Sequence, residues 1–150
     1  MATGVHRRPG YRHAVSDSRI QVPPNCELTL GMTCTDKSVP GRTVWRMAAD
    51  ERFANPAGIV QGGFLGAMAD SAMGSAAVTF ARGAGRRVFA SNVEMKTSFL
   101  AAARVGSVLE CTAEIISGGS RVAFAEAEVV DDAGRVVARA SSTYLFTERE

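Results

Sequence analysis

Histidine occurs only twice in this chain of 150 residues, as His6 and His13, so chemistry elsewhere must come from carboxylates, amides and backbone groups. One stretch concentrates them. Asn55-Pro56-Ala57-Gly58-Ile59-Val60-Gln61-Gly62-Gly63 leads a polar loop into a helix start, and Asp70 follows eight residues after Gly62. The first N–H groups of a helix lack intrahelical partners and sit at the positive end of its macrodipole. That end can hold an oxyanion, and Gly62, with no side chain, lets its amide approach an acyl carbonyl closely. A carboxylate at Asp70 can attack such a carbonyl or deprotonate water.

Each of these residues also has an ordinary reading. Asn before Pro commonly makes a turn, Gly62-Gly63 can simply open the helix, and a lone helical Asp is usually solvated or ion-paired. Distance constrains the chemical reading. Eight residues at 1.5 Å rise put Gly62 and Asp70 about 12 Å apart along the axis, whereas both must come within about 3 Å of the reacting atoms. One helix cannot serve one substrate with both groups. Two copies related by a two-fold axis can, each offering its Asp70 to the other's Gly62. Other chemistries lack their residues: there is no G-x-S-x-G elbow, no phosphate-binding G-x-x-x-x-G-K-[ST] loop and no G-x-G-x-x-G fingerprint. No histidine is placed to act as a base or bind a metal, so no metal site is expected.

The elements that must position these groups can be read from periodicity. Leu28, Leu30, Met32 and Cys34 alternate with other residues and suggest a strand ending near Asp36-Lys37. A turn at Val39-Pro40-Gly41 then leads to a strand over 43–48. Residues 51–58 read as an irregular loop. From Gln61 to about Ala81, the spacing of Phe64, Leu65, Met68, Ala69, Ala72, Met73, Ala76, Ala77 and Phe80 predicts one long helix, the single helix expected. A stripe of small residues, Gly63, Gly66, Ala67, Asp70 and Gly74, runs along the same cylinder and would allow another backbone to approach. Four strands follow, over 88–98, 108–117, 121–131 and 136–146. Hairpin turns at Ser117-Gly118-Gly119-Ser120 and Asp131-Asp132-Ala133-Gly134 join the later ones, with a looser link over 101–106. The fold class is α+β, an antiparallel sheet wrapped around one long helix.

Size and composition fit one soluble domain. Residues 1–24, with Arg7, Arg8, Arg12, Pro9, Pro23 and Pro24, read as a disordered or loosely attached tail before a domain over 25–150. The net charge of +2 is concentrated in the first 20 residues, which leaves the domain near neutral and predicts no nucleic-acid partner. Cys26, Cys34 and Cys111 have no metal-ligand spacing and read as reduced structural thiols. No apolar run approaches the roughly 18 residues of a membrane span, so no membrane partner and a cytoplasmic location are expected.

The run N-P-A-G-I-V-Q-G-G-F-L-G-A-M-A-D-S-A-M-G, Asn55 to Gly74, resembles the signature of PaaI-type hotdog acyl-CoA thioesterases, related to 4-hydroxybenzoyl-CoA thioesterase. That family shows an Asn, His-Gly-Gly six residues on, and an Asp or Glu nine after the His. Asn55, Gln61 and Asp70 reproduce both intervals, and the resemblance extends over about residues 28–146. It implies a hotdog fold and hydrolysis of an acyl-CoA, with Asp70 as nucleophile or general base. The Gly62 amide would polarise the thioester carbonyl, Asn55 would position the carbonyl or the attacking water, and Gly63 would stand beside the substrate. The minimal active unit would be a homodimer, with pairing into a homotetramer common in the family. The resemblance also implies a small polar residue at Ser91 or Asn92, and no cofactor, because coenzyme A is part of the substrate. Its phosphates have possible partners in Arg82, Arg86, Arg87, Lys96, Arg104 and Arg121, with Arg121 the first choice. Gln61 departs from the family histidine and cannot carry positive charge. That departure motivates an alternative, a non-catalytic acyl-CoA-binding or sensing module. A weaker alternative is a 3-hydroxyacyl thioester dehydratase, which usually needs a histidine.

Overall fold

The computed structural model describes residues 23–149. The disorder expected for the tail therefore falls almost entirely outside the described residues. The described chain runs α1 (Asn25–Leu30), β1 (Thr33–Asp36), β2 (Arg42–Ala48), a 3-10 turn (Glu51–Phe53), α2 (Gly62–Gly83), β3 (Val88–Phe99), β4 (Val108–Gly118), β5 (Val122–Val130) and β6 (Val136–Glu148). The strands form one antiparallel sheet in the order β1-β2-β4-β5-β6-β3, and α2 packs across β2 to β6. This is the expected α+β architecture.

Two local expectations are corrected. Residues 25–30, whose leucines alternate like those of a strand, form a helical turn and a half. Gly31 closes it in the left-handed conformation (φ 68°), and the Met32 N–H donates to the Glu27 carbonyl at 2.9 Å. Six residues are too few for a 3.6-residue period to separate from a period of two. Likewise, the segment after β2 is not wholly irregular: Asp50 Oδ1 accepts the Arg52 N–H at 2.8 Å and starts the 3-10 turn.

Alanine lines both sides of the helix–sheet contact. Ala69, Ala72, Ala76 and Ala77 on α2 meet a sheet surface that includes Ala113, Ala125, Ala127 and Ala140, all buried. Methyl-sized side chains let the helix axis lie close to the strands, and Met47, Met68, Met73 and Leu109 fill the wider gaps. The Thr43 hydroxyl, fully buried, donates to the Ala72 carbonyl at 2.9 Å and ties β2 to the middle of the helix. By length and composition α2 could cross a membrane, contrary to the sequence expectation, but half of its apolar 18-residue window is buried inside the fold, as befits a core helix. Cys111 lies in the same core, where burial pushes its thiol up to about 12. Cys26 is exposed, and all three cysteines are free.

The topology sets the working end. The helix carries the chain from β2 to the far edge at β3, and residues 100–107 bring it back to β4. The two crossings meet where the Val60 N–H donates to the Ala103 carbonyl and Ile59 bridges Arg104. The small-residue stripe on α2 has a mixed fate. Gly66 and Gly74 face Met95 of β3 and Tyr144 of β6 within the chain, at 3.6 Å from an added Cβ, while Gly63 meets nothing within 4 Å. Because Ala125 is buried in this contact, Ala125→Leu is expected to destabilise the fold by about 1–3 kcal/mol through overpacking, read as a lower urea midpoint at unchanged slope.

Candidate active site

The helix start is held from several sides. The Gln61 N–H donates to the Phe53 carbonyl at 2.7 Å, and the Phe53 and Phe64 rings stack with centroids 4.4 Å apart. Gln61 is the N-cap residue, yet its side chain caps nothing and is exposed. Among the described residues, the Gly62 and Gly63 N–H groups have no hydrogen-bond partner, as expected at the first positions of a helix. Asn55 Oδ1 accepts the Ala57 N–H at 2.9 Å and shapes the preceding turn, which leaves its Nδ2 donor unpaired among the described residues. The turn role of Asn55 thus leaves one side-chain donor free.

These groups share a cavity of about 580 Å³ lined by Asn55, Gln61, Gly62 and Gly63 on one side and by Phe99, Leu100 and Ala101 to Ala103 on the other. The Phe99 ring lies over Gly62, where an added Cβ would come within 2.8 Å of it. Phe99 and Leu100 are exposed, so the wall facing the free amides is apolar. A somewhat larger concavity, about 660 Å³, lies on the outer face of the sheet among Lys96, Glu114, Glu126, Glu128 and Arg139 and contains none of the expected site residues.

Asp70 is not in the cavity. It sits half-buried two turns along the helix, in its own cluster. The Asn92 Nδ2 donates to Asp70 Oδ1 at 2.7 Å, and the Tyr144 hydroxyl lies 2.7 Å from the same oxygen. Of the two small polar residues expected after the helix, the structure brings Asn92 to the carboxylate. Ser91 pairs with Leu145 on the neighbouring position of the alternating strand and is exposed. Tyr144 was not singled out from sequence, because a tyrosine in a strand-like run reads as ordinary core.

The basic candidates separate by position. Arg121 belongs to the β4–β5 turn beside the C-terminal end of α2, where Gly118 abuts Phe80 and Arg86 donates to the Ser120 carbonyl, so it is not near the cavity of the same chain. Arg86 also pairs with Glu148 and covers the Phe146 ring. Arg104 is different: it does not line the cavity, but it is exposed and its backbone bridges Ile59, a residue of the cavity wall. Among the described residues, no cluster of three potential metal ligands occurs.

The chain matches the thioesterase superfamily over residues 57–138, which includes Gln61, Gly62 and Asp70. It is 25% identical to human acyl-coenzyme A thioesterase 13 over 120 residues, 79% of this chain and 83% of that one. The structure of a putative thioesterase, a phenylacetic acid degradation-related protein from Ralstonia eutropha JMP134, superposes with a TM-score of 0.72 at 30% identity, covering 81% of this chain and 89% of the other. The E. coli PaaI structure shares the fold, with a TM-score of 0.74 at 21% identity over 81% and 83% of the two chains. By sequence and by fold, this chain belongs to the thioesterase superfamily and is a PaaI-like hotdog thioesterase.

Proposed function

We propose that the protein hydrolyses an acyl-CoA thioester to the free acid and CoA at composite sites, two per homodimer, each combining Asp70 of one copy with the Gly62 amide of the other. The observation that carries this reading is the separation of the two groups. The unpaired amides lie at one end of α2 and the carboxylate lies in a second cluster, about 12 Å further along the axis. The β3 edge offers a way to join two copies. It is a 12-residue strand with one edge unpaired among the described residues, carrying exposed Val93 and Met95 and ending at exposed Phe99 and Leu100. A long edge of this kind is a template for pairing with another strand. An antiparallel pair of β3 strands would set the two α2 helices in opposite directions beside them, and the exposed Gly63 and Ala67 would permit close approach.

In such a site the thioester carbonyl points at the Gly62 N–H, with the Asn55 Nδ2 and the Gln61 amide nearby as neutral donors. Asp70 from the other copy attacks the carbonyl carbon, forming an anhydride that water then cleaves, or it takes a proton from water, which adds in its place. Either way the tetrahedral oxyanion forms against the helix N-terminus, the C–S bond breaks and the CoA thiolate leaves. Gln61 supplies a hydrogen bond without the positive charge of a histidinium, so more of the oxyanion stabilisation falls on the backbone amide. The apolar wall of Phe99, Leu100 and the adjacent alanines suits a hydrophobic acyl group, and Arg104, next in the chain to Ala103 of that wall, suits a phosphate of CoA.

Gly62 is the first helical residue, and Gln61 before it has φ −61° and ψ 131°, so proline fits the backbone here. Gly62→Pro deletes the N–H, while Gly62→Ala adds a similar Cβ against the movable Phe99 ring and keeps the N–H. We expect Gly62→Pro to lower kcat by about 100- to 1000-fold relative to Gly62→Ala. Equal activity of the two variants, measured by CoA thiol release, would remove the amide from the mechanism.

Subunit sharing is checked by complementation. Asp70→Asn and Gly62→Pro proteins, each nearly inactive alone, are unfolded together and refolded as a mixture. Random pairing restores about a quarter of wild-type activity, since half the dimers are mixed and each has one intact site. No recovery, with mixed dimers demonstrably formed, would show that each site lies within one chain.

Arg104→Ala is expected to raise KM for acyl-CoA about five-fold or more, consistent with loss of one charged hydrogen bond, and to leave KM for the matching N-acetylcysteamine thioester unchanged. A similar rise for both substrates would place Arg104 away from the phosphates.

A further inference from the structure

The Asp70 carboxylate is held asymmetrically. Both of its side-chain donors, the Asn92 amide and the Tyr144 hydroxyl, reach the same oxygen, Oδ1, at 2.7 Å each. Among the described residues, Oδ2 accepts no hydrogen bond. The Asn92 amide cannot be flipped without loss, because its Oδ1 accepts the Glu94 N–H at 3.1 Å and lies 2.8 Å from the Ser142 hydroxyl. Its Nδ2 is therefore committed to Asp70. The Tyr144 hydroxyl is also 3.0 Å from the Asp70 backbone carbonyl, but its single proton goes to the nearer, charged acceptor.

Tyr144 is a rigid support. It is 1% exposed, and its ring packs on α2 at Gly74, one turn beyond Asp70. Its register neighbours on β6 hold the strand between β5 and β3, so the hydroxyl is anchored by the sheet rather than by the helix whose side chain it meets. Burial first, and then the hydrogen bond and charge of Asp70, push the hydroxyl's pKa well above its ordinary value. It is a neutral donor throughout the working range of an enzyme.

We propose that Tyr144 is a positioning residue for the reaction: with Asn92 it pins Oδ1 of Asp70, so that Oδ2 alone is presented to the thioester or to the attacking water. The inference rests on the assignment of Asp70 as the reactive carboxylate. A carboxylate free to rotate about its terminal torsion spreads over many orientations, and only a few lie on an attack trajectory. Two donors on one oxygen remove that freedom and leave the other oxygen with its lone pairs unengaged. Because the donors come from β3 and β6 while the carboxylate comes from α2, the geometry is set by the close helix–sheet contact.

The experiment compares Tyr144→Phe, Asp70→Asn and the double variant in steady-state hydrolysis of one acyl-CoA, with thermal unfolding of each. Tyr144→Phe keeps the ring and removes only the hydroxyl. We expect kcat about 10- to 100-fold lower with KM within two-fold of wild type, and no further loss when the change is added to Asp70→Asn. Asn92→Ala, on the exposed edge strand, removes the other Oδ1 donor and should show the same split between kcat and KM; it carries the test if Tyr144→Phe fails to fold. Wild-type kcat in Tyr144→Phe alongside an inactive Asp70→Asn overturns the positioning role and leaves the carboxylate's role standing. A loss from Tyr144→Phe that persists at full size in the Asp70→Asn background overturns it as well, since the tyrosine would then act independently of the carboxylate. Full activity in Asp70→Asn overturns the assignment beneath both.

Discussion

The close contact between α2 and the sheet is the constraint on which the rest depends. Alanine on both surfaces brings the helix near enough that side chains of ordinary length bridge the gap: Thr43 reaches the Ala72 carbonyl, Tyr144 reaches Asp70, and Met95 covers Gly66. With leucines at those alanine positions the axis would stand further out, and the Tyr144 hydroxyl would no longer meet a carboxylate two turns along the helix. Packing density and site geometry are thus one feature, because close-packed interiors transmit small displacements rather than absorbing them.

The same contact divides the polar groups into two sets. At the helix start, backbone amides are left free by the geometry of any helix and border a cavity whose opposite, apolar wall is supplied by the returning β3–β4 crossing. Two turns on, a carboxylate is gripped by neutral donors from two strands. Free backbone amides and a hydrogen-bonded carboxylate are both present, held apart by the length of a rigid rod. The proposed sharing between copies follows from that rigidity, since bending a helix far enough to join the two groups would break its hydrogen bonds.

The family match and the fold agree with the residue-level reading of a thioesterase. Where this chain differs, at Gln61, the structure places a neutral, exposed amide at the N-cap with no capping bond of its own. In the proposed mechanism the consequence is electrostatic: the helix terminus, rather than a charged side chain, would be the main positive feature beside the carbonyl.

Much of this was legible in the residues themselves. The long helix, the five strands from β2 to β6 and the Gly62-to-Asp70 spacing follow from local periodicity and from a fixed rise per residue, which no tertiary contact alters. The first helix and the 3-10 turn were not, because elements of three to six residues carry too little period to identify and are selected by caps such as Gly31 and Asp50. Nor could the sequence tell that Asn92 rather than Ser91 meets Asp70, that Arg104 and Arg121 lie at opposite ends of α2, or single out Tyr144. Those choices depend on which strand lies beside which, and strand order is decided by packing between segments as much as 74 positions apart. Local pattern determines what each segment is; only the closed core decides which side chains meet.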